Sequence, residues 1–132
     1  MTAPRWLRVG AGSLSLWALA ATAFVAANEF GGEAAAWLGF PPGGAARLGW
    51  DLAWTLAAAA LAVWLLARWA PAAARAQAML AWALLAASGV WAVTNLGGEF
   101  PLWFDAGLLF ALPVLAGCGW RWASRREQTH RA

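Results

Sequence analysis

Residues Gly49–Pro71 read GWDLAWTLAAAALAVWLLARWAP, and between Asp51 and Arg68 lie sixteen residues without a charge. A tryptophan stands beside each of the two charges, Trp50 next to the acid and Trp69 next to the base. This is the pattern of a bilayer-spanning helix. About 20 residues at 1.5 Å each cover the ~30 Å of hydrocarbon, and amphipathic rings settle at the level of the headgroups. Pro71 ends the run, as proline commonly does just past a helix.

The rest of the 132-residue chain has the same character: 63% of it is hydrophobic and 11% charged. Soluble domains carry about 25% charged residues, and a chain this short cannot enclose so much apolar surface in a core of its own. Lipid is the expected solvent. Lysine and tyrosine are absent, so arginine supplies all nine positive charges. The isoelectric point of about 11.1 does not indicate a nucleic-acid module. The arginines flank apolar segments and form no polar domain with interleaved aromatics. Cys118 is the sole cysteine, which excludes an intrachain disulfide and a multi-cysteine metal site. His130, also alone, reads as a solvated tail residue.

Four spans are expected, at about 8–28, 50–70, 76–96 and 101–123, making residues 1–132 a single all-α, polytopic membrane domain built as a four-helix bundle. Arg5 and Arg8 precede the first apolar run, Val9–Asn28. A basic start before an apolar run also fits a signal sequence processed at Ala21-Thr22-Ala23. The run stays apolar past that point, so a retained span is expected. Glu29–Leu48 reads as the longest loop, with Ala34–Phe40 a short interfacial turn of helix carrying Trp37 and Phe40. Ala72–Arg75 reads as a tight basic turn. Pro101 suits a helix start, where its missing N–H costs little. Pro113 falls inside the fourth span and predicts a kink. Ser124–Ala132 reads as a polar tail.

With four spans, the two termini and the middle turn share one side. That side holds eight of the nine arginines: Arg5, Arg8, Arg68, Arg75, Arg121, Arg125, Arg126 and Arg131. The other side holds Arg47 with Glu29, Glu33, Asp51, Glu99 and Asp105. Short loops rich in arginine stay in the cytoplasm. Both termini are therefore expected inside a bacterial inner membrane, and these arginines act as topology anchors.

Asn28-Glu29-Phe30-Gly31-Gly32-Glu33 is similar to Asn95-Leu96-Gly97-Gly98-Glu99, Trp50-Asp51 to Phe104-Asp105, and Arg68-Trp69-Ala70 to Arg121-Trp122-Ala123. The halves read either as tandem copies of one helix pair or as chance similarity between alanine- and leucine-rich helices.

Among groups that carry chemistry, Asp51 and Asp105 stand first. Each has two readings: a helix-start acid that favours the positive end of the dipole, or a carboxylate that handles cations or protons near the membrane. Arg47, four residues before Asp51, offers an ion pair if the second helix begins early. A wheel of the second span puts Asp51, Thr55, Ala58, Ala59 and Ala62 on one small, weakly polar face, which is expected to point into the bundle. Glu29, Glu99 and Thr55 join the aspartates as candidate transport or partner residues. The acids also fit a solvated acidic rim. The deep tryptophans Trp17, Trp82 and Trp91 read as packing residues or as the lining of a lipidic site. No Ser/His/acid set, metal cluster, phosphate loop or CxxC motif is present. The chain is therefore not expected to be an enzyme or to carry a cofactor.

LLARWAP (Leu65–Pro71) closing the second helix and PLWFD (Pro101–Asp105) opening the fourth resemble small four-helix bacterial inner-membrane proteins. The resemblance implies a fold and a membrane but no activity. The leading functional expectation is an accessory or interaction component, packed in the lipid bilayer against another membrane protein or a second copy of itself. A small oligomeric transporter or channel using the acidic side is the alternative, and a lipid-modifying enzyme is a remote one.

Overall fold

The computed structural model describes residues 4–96 and 98–129, without the side chains of 126–129. Four helices follow in order: α1 (Arg5–Trp37), α2 (Ala45–Trp69), α3 (Ala74–Asn95) and α4 (Leu102–Thr129). Each is long and apolar enough to cross a bilayer. The chain is thus all-helical, as the four apolar runs predict.

The helix boundaries depart from the sequence reading at three places. The loop expected over Glu29–Leu48 is largely helix. α1 continues unbroken through Asn28–Glu33 to Trp37, and α2 begins at Ala45 rather than Trp50. Only 38–44 connect them. The end of α1 is fixed by Gly39 at φ +75°, with the amides of Gly39 and Phe40 donating back to the carbonyls of Ala36 and Ala35. A left-handed glycine makes this stop inexpensive. At the other end of the chain, residues 124–129, expected as a polar tail, extend α4 to Thr129. His130 and Arg131 lie outside the described residues.

α2 is the hub. It packs against α1, α3 and α4, and α3 packs against α4, whereas the backbone of α1 approaches neither α3 nor α4. The sequence explains this. Ala58, Ala59, Ala62 and Ala67 are buried on α2 between Val63, Leu65 and Leu66. A wall of small side chains lets neighbours come close from more than one direction. Val63 and Leu66 are the largest fully buried side chains. Gly119 of α4 fits against Val63: a Cβ at this glycine would lie 2.7 Å from Val63 Cγ1. α1 meets α2 through Gly31, where an added Cβ would lie within 2.1 Å of the Trp54 ring.

The helices run alternately up and down, so charge separates by end. Glu29, Arg47, Asp51, Glu99 and Asp105 stand at one end, the acidic end. Arg5, Arg8, Arg68, Arg75, Arg121 and Arg125 stand at the other, the basic end. From Asp51 to Arg68 the rise of α2 is about 25 Å, close to the ~30 Å hydrocarbon thickness. At the basic end, Arg75 donates to Ser124 Oγ at 3.3 Å and lies 4.4 Å from the centre of the Trp120 ring, joining α3 to α4. Arg68, Arg121 and Arg125 are exposed. The side chain of Arg126 lies outside the described residues.

The acids and arginines matched between the two halves stand at corresponding ends, Asp51 with Asp105 and Arg68 with Arg121, while the close glycine contacts differ. Trp54, three residues after Asp51, faces Gly31, whereas Leu108, three residues after Asp105, faces Gly89. Gly31 follows Asn28 by three residues; Gly89 precedes Asn95 by six. Asn28 lies inside α1, and Asn95 ends α3.

Candidate functional site

The polar residues of the acidic end converge between α1 and α2. Asn28, Glu29, Gly31 and Gly32 from α1 and Arg47, Asp51, Trp54 and Thr55 from α2 line an open cleft of about 330 Å³. Its existence depends on the two boundary changes. Had α1 stopped at Asn28 and α2 begun at Trp50, neither Arg47 nor the glycine pair would be held in place.

Two tryptophans clasp the helices together. Trp50 Nε1 donates to the Gly31 carbonyl at 2.8 Å, and one turn away Trp54 Nε1 donates to the Ala27 carbonyl. Both donors and both acceptors are spaced i, i+4, so the two bonds run as parallel rungs between antiparallel helices. The two indoles stack at 5.3 Å between centroids, with Phe40 edge-on to Trp50 and Phe30 tilted against Trp54. The glycine at 31 permits this approach, because any side chain there would strike the Trp54 ring.

Below the clasp, Thr55 Oγ1 donates to Asn28 Oδ1 at 2.8 Å, and Asn28 Nδ2 donates to the Phe24 carbonyl at 2.9 Å. Asn28 is thus a satisfied interhelix residue and not a helix end. Above it, Arg47 Nε donates to both carboxylate oxygens of Asp51, at 3.0 and 2.9 Å. The pair is the i, i+4 arrangement that the early start of α2 makes available, with Arg47 21% and Asp51 40% exposed. α2 begins at Ala45, so Asp51 is not in its first turn and does not cap it. Nη2 of Arg47 lies beside Gly32, 3.7 Å from where a Cβ would be. Among the described residues the two Nη nitrogens make no hydrogen bond.

The remaining predicted residues do not join this cleft. Asp105 lies in the first turn of α4, where its charge favours the positive end of the helix dipole. Glu99 is exposed in the α3–α4 connection. Asp51, Glu29 and Thr55 are therefore brought together, and Asp105 and Glu99 stand apart. Among the described residues no group of three His, Cys, Asp or Glu side chains stands close enough to share a metal ion. Sequence reasoning missed Gly31, Gly32, Trp54 and Asn28 as site residues. The signal was present in Ala27-x3-Gly31-x3-Ala35, a small-residue repeat at helix spacing that marks a close helix contact. The two glutamates and paired glycines around it suggested a loop instead.

Under the clasp the structure turns apolar. Phe24, Leu56, Ala59, Leu85, Ala92 and Leu108 are among the residues lining a space of about 220 Å³ that also reaches Thr55 and Ser88. A second space of about 170 Å³ continues toward the basic end between Trp17, Phe24, Ala62, Leu66, Leu84 and Leu85. Trp17 thus faces a cavity between helices. Trp82 donates Nε1 to the Leu112 carbonyl at 2.8 Å, tying α3 to α4 just before Pro113. Trp91 is 61% exposed.

No protein-family model, curated protein or solved structure matches the chain. The resemblance to small four-helix inner-membrane proteins therefore rests on its two motifs alone.

Proposed function

We propose that this chain is a multi-pass protein of the bacterial inner membrane, with both termini cytoplasmic, that serves as an accessory component by lateral association within the bilayer. The observation that carries the reading is the contrast between the ends and the middle of α2. Its charged groups stand at the two ends, while Ala58, Ala59, Ala62, Val63 and Leu66 form a buried alkyl wall at mid-depth. Ions need polar groups through the midplane, and this wall supplies none. Asp51 is held by Arg47, which suits a fixed structural pair better than a carboxylate that loads and releases a cation. The arginines at the basic end support the inside assignment through the positive-inside rule.

The test is made on the full chain. Extraction in mild detergent followed by native mass spectrometry is expected to return one partner, or a second copy, at fixed stoichiometry. Liposomes holding the pure protein are expected to show no cation or proton flux. Flux that appears with the wild type and disappears in Asp51→Asn/Asp105→Asn would replace the accessory reading with transport.

A further inference from the structure

The polar cleft and the two apolar spaces form one lateral feature. Thr55 borders both the cleft and the upper apolar space, and Phe24 and Leu85 border both apolar spaces. Together they make a groove with α2 as its floor and α1 and α3 as its walls, and Leu108, Leu112 and Leu115 of α4 back its upper part. Its basic end is closed by the Gln77 Nε2 to Ser13 Oγ hydrogen bond, 3.1 Å, between α3 and α1.

Below the polar cleft the groove presents hydrocarbon only. Its two hydroxyls are both turned away to partners: Thr55 donates to Asn28, and Ser88 donates to the Leu84 carbonyl at 2.9 Å. From Thr55 to Leu66 the floor runs about 16 Å at 1.5 Å per residue, which is the depth of one leaflet of a ~30 Å hydrocarbon core. Phe24 of α1 and Leu85 of α3 stand where the two apolar spaces adjoin. A flexible alkyl chain passes such a divide, but a helix 10–12 Å across does not. At the mouth, Glu29 and Asp51 flank Arg47, whose Nη groups are unused among the described residues. That is one cation between two anions, complementary to a phosphate joined to an ammonium group and unfavourable to a headgroup that is only anionic.

We propose that the α1–α3 groove holds one acyl chain of a zwitterionic, ethanolamine-type phospholipid from the leaflet at the acidic end. The phosphate sits on the Arg47 Nη groups and the ammonium is accepted by Glu29. The inference rests on the bilayer placement proposed above.

The experiment is native mass spectrometry of the full chain, delipidated and titrated in detergent with dioleoyl phosphatidylethanolamine or dioleoyl phosphatidylglycerol. The wild type is expected to retain one ethanolamine lipid per chain, about tenfold more tightly than the glycerol lipid, the low end for a hydrogen bond to a charged group. Ser88→Trp and Ala21→Trp each put an indole into the groove from an exposed position, and both are expected to lose the retained lipid. Glu29→Gln, an exposed change with little bearing on folding, is expected to keep the lipid but lose the headgroup preference. Equal retention of the two lipids by the wild type, or wild-type retention by both tryptophan variants with helical content intact, overturns the proposal. So does an interchain disulfide through Ser88→Cys in a Cys118→Ser background, which would put a second copy in the groove. A chain that crosses the bilayer as described but retains no lipid defeats this inference alone; a chain that does not cross it defeats the placement.

Discussion

Trp50 donates its indole N–H to the Gly31 carbonyl at 2.8 Å, so a ring of α2 closes directly onto the backbone of α1. Trp54 repeats the contact one turn away, at Ala27. Backbone carbonyls inside a helix already accept an amide, and two stacked indoles from a neighbouring helix come this close most readily where the helix surface is bare. Gly31 provides that bare surface. Gly31→Ala puts a methyl into the Trp54 ring and is expected to separate the helices at this level. The expected loss is about 2 kcal/mol or more, from overpacking plus a lost hydrogen bond. Unfolding in mixed micelles with increasing SDS measures it, and a red-shifted tryptophan emission is expected to accompany it.

The Thr55–Asn28 bond sits beneath that clasp, at the border between cleft and hydrocarbon. Thr55→Val leaves Asn28 Oδ1 without its donor. A double-mutant cycle with Asn28→Leu is expected to give a coupling of about 0.6 kcal/mol, rising to about 1.7 kcal/mol if the site stays dry. No coupling would show that water takes the place of the hydroxyl.

How far the chain could be read from sequence differs between its apolar and its polar stretches. The sixteen uncharged residues after Asp51 and their flanking tryptophans specify a span by length alone, so all four helices were legible. The inward face of α2 was legible too, because Ala58, Ala59 and Ala62 recur at helical spacing, and all three are buried. The continuation of α1 was not legible. Asn28, Glu29 and two glycines are poor helix residues, and each glycine costs about 1 kcal/mol in a helix interior. What offsets that cost is contact with α2, from residues about 20 positions later, and local pattern carries no information about it. The same holds for Asp51. It reads as a cap only while the start of α2 is placed at Trp50; the residues from Ala45 to Gly49, Arg47 among them, extend the helix and make it one half of an ion pair.

Two glycines of α4 separate packing from propensity. Gly119 is buried against Val63 and Met79, whereas a Cβ at Gly117 would meet nothing within 4 Å. Gly119→Ala is expected to cost about 1–3 kcal/mol by overpacking. Gly117→Ala is expected to be neutral or stabilising by up to about 1 kcal/mol through helix propensity. The same SDS unfolding assay reads both, and the opposite order would mean that α4 packs on α2 by a different face.

Ala73, at the turn into α3, has φ +48°. The left-handed region costs an L-residue about 1–2 kcal/mol, part of which glycine returns as backbone entropy. Ala73→Gly is expected to stabilise the protein by about 0.5–1 kcal/mol, seen as a higher midpoint of thermal unfolding in detergent.

The central claim is that four spans carry the acidic end to one side of the membrane and the basic end to the other. Single cysteines placed by Glu99→Cys and by Ala72→Cys, each in a Cys118→Ser background, test it directly with a membrane-impermeant maleimide on intact cells. Glu99→Cys is expected to be labelled from outside, and Ala72→Cys only after the cells are opened. Labelling of Ala72→Cys in intact cells, with Glu99→Cys protected, would contradict the orientation; equal labelling of both before opening would contradict the four spans.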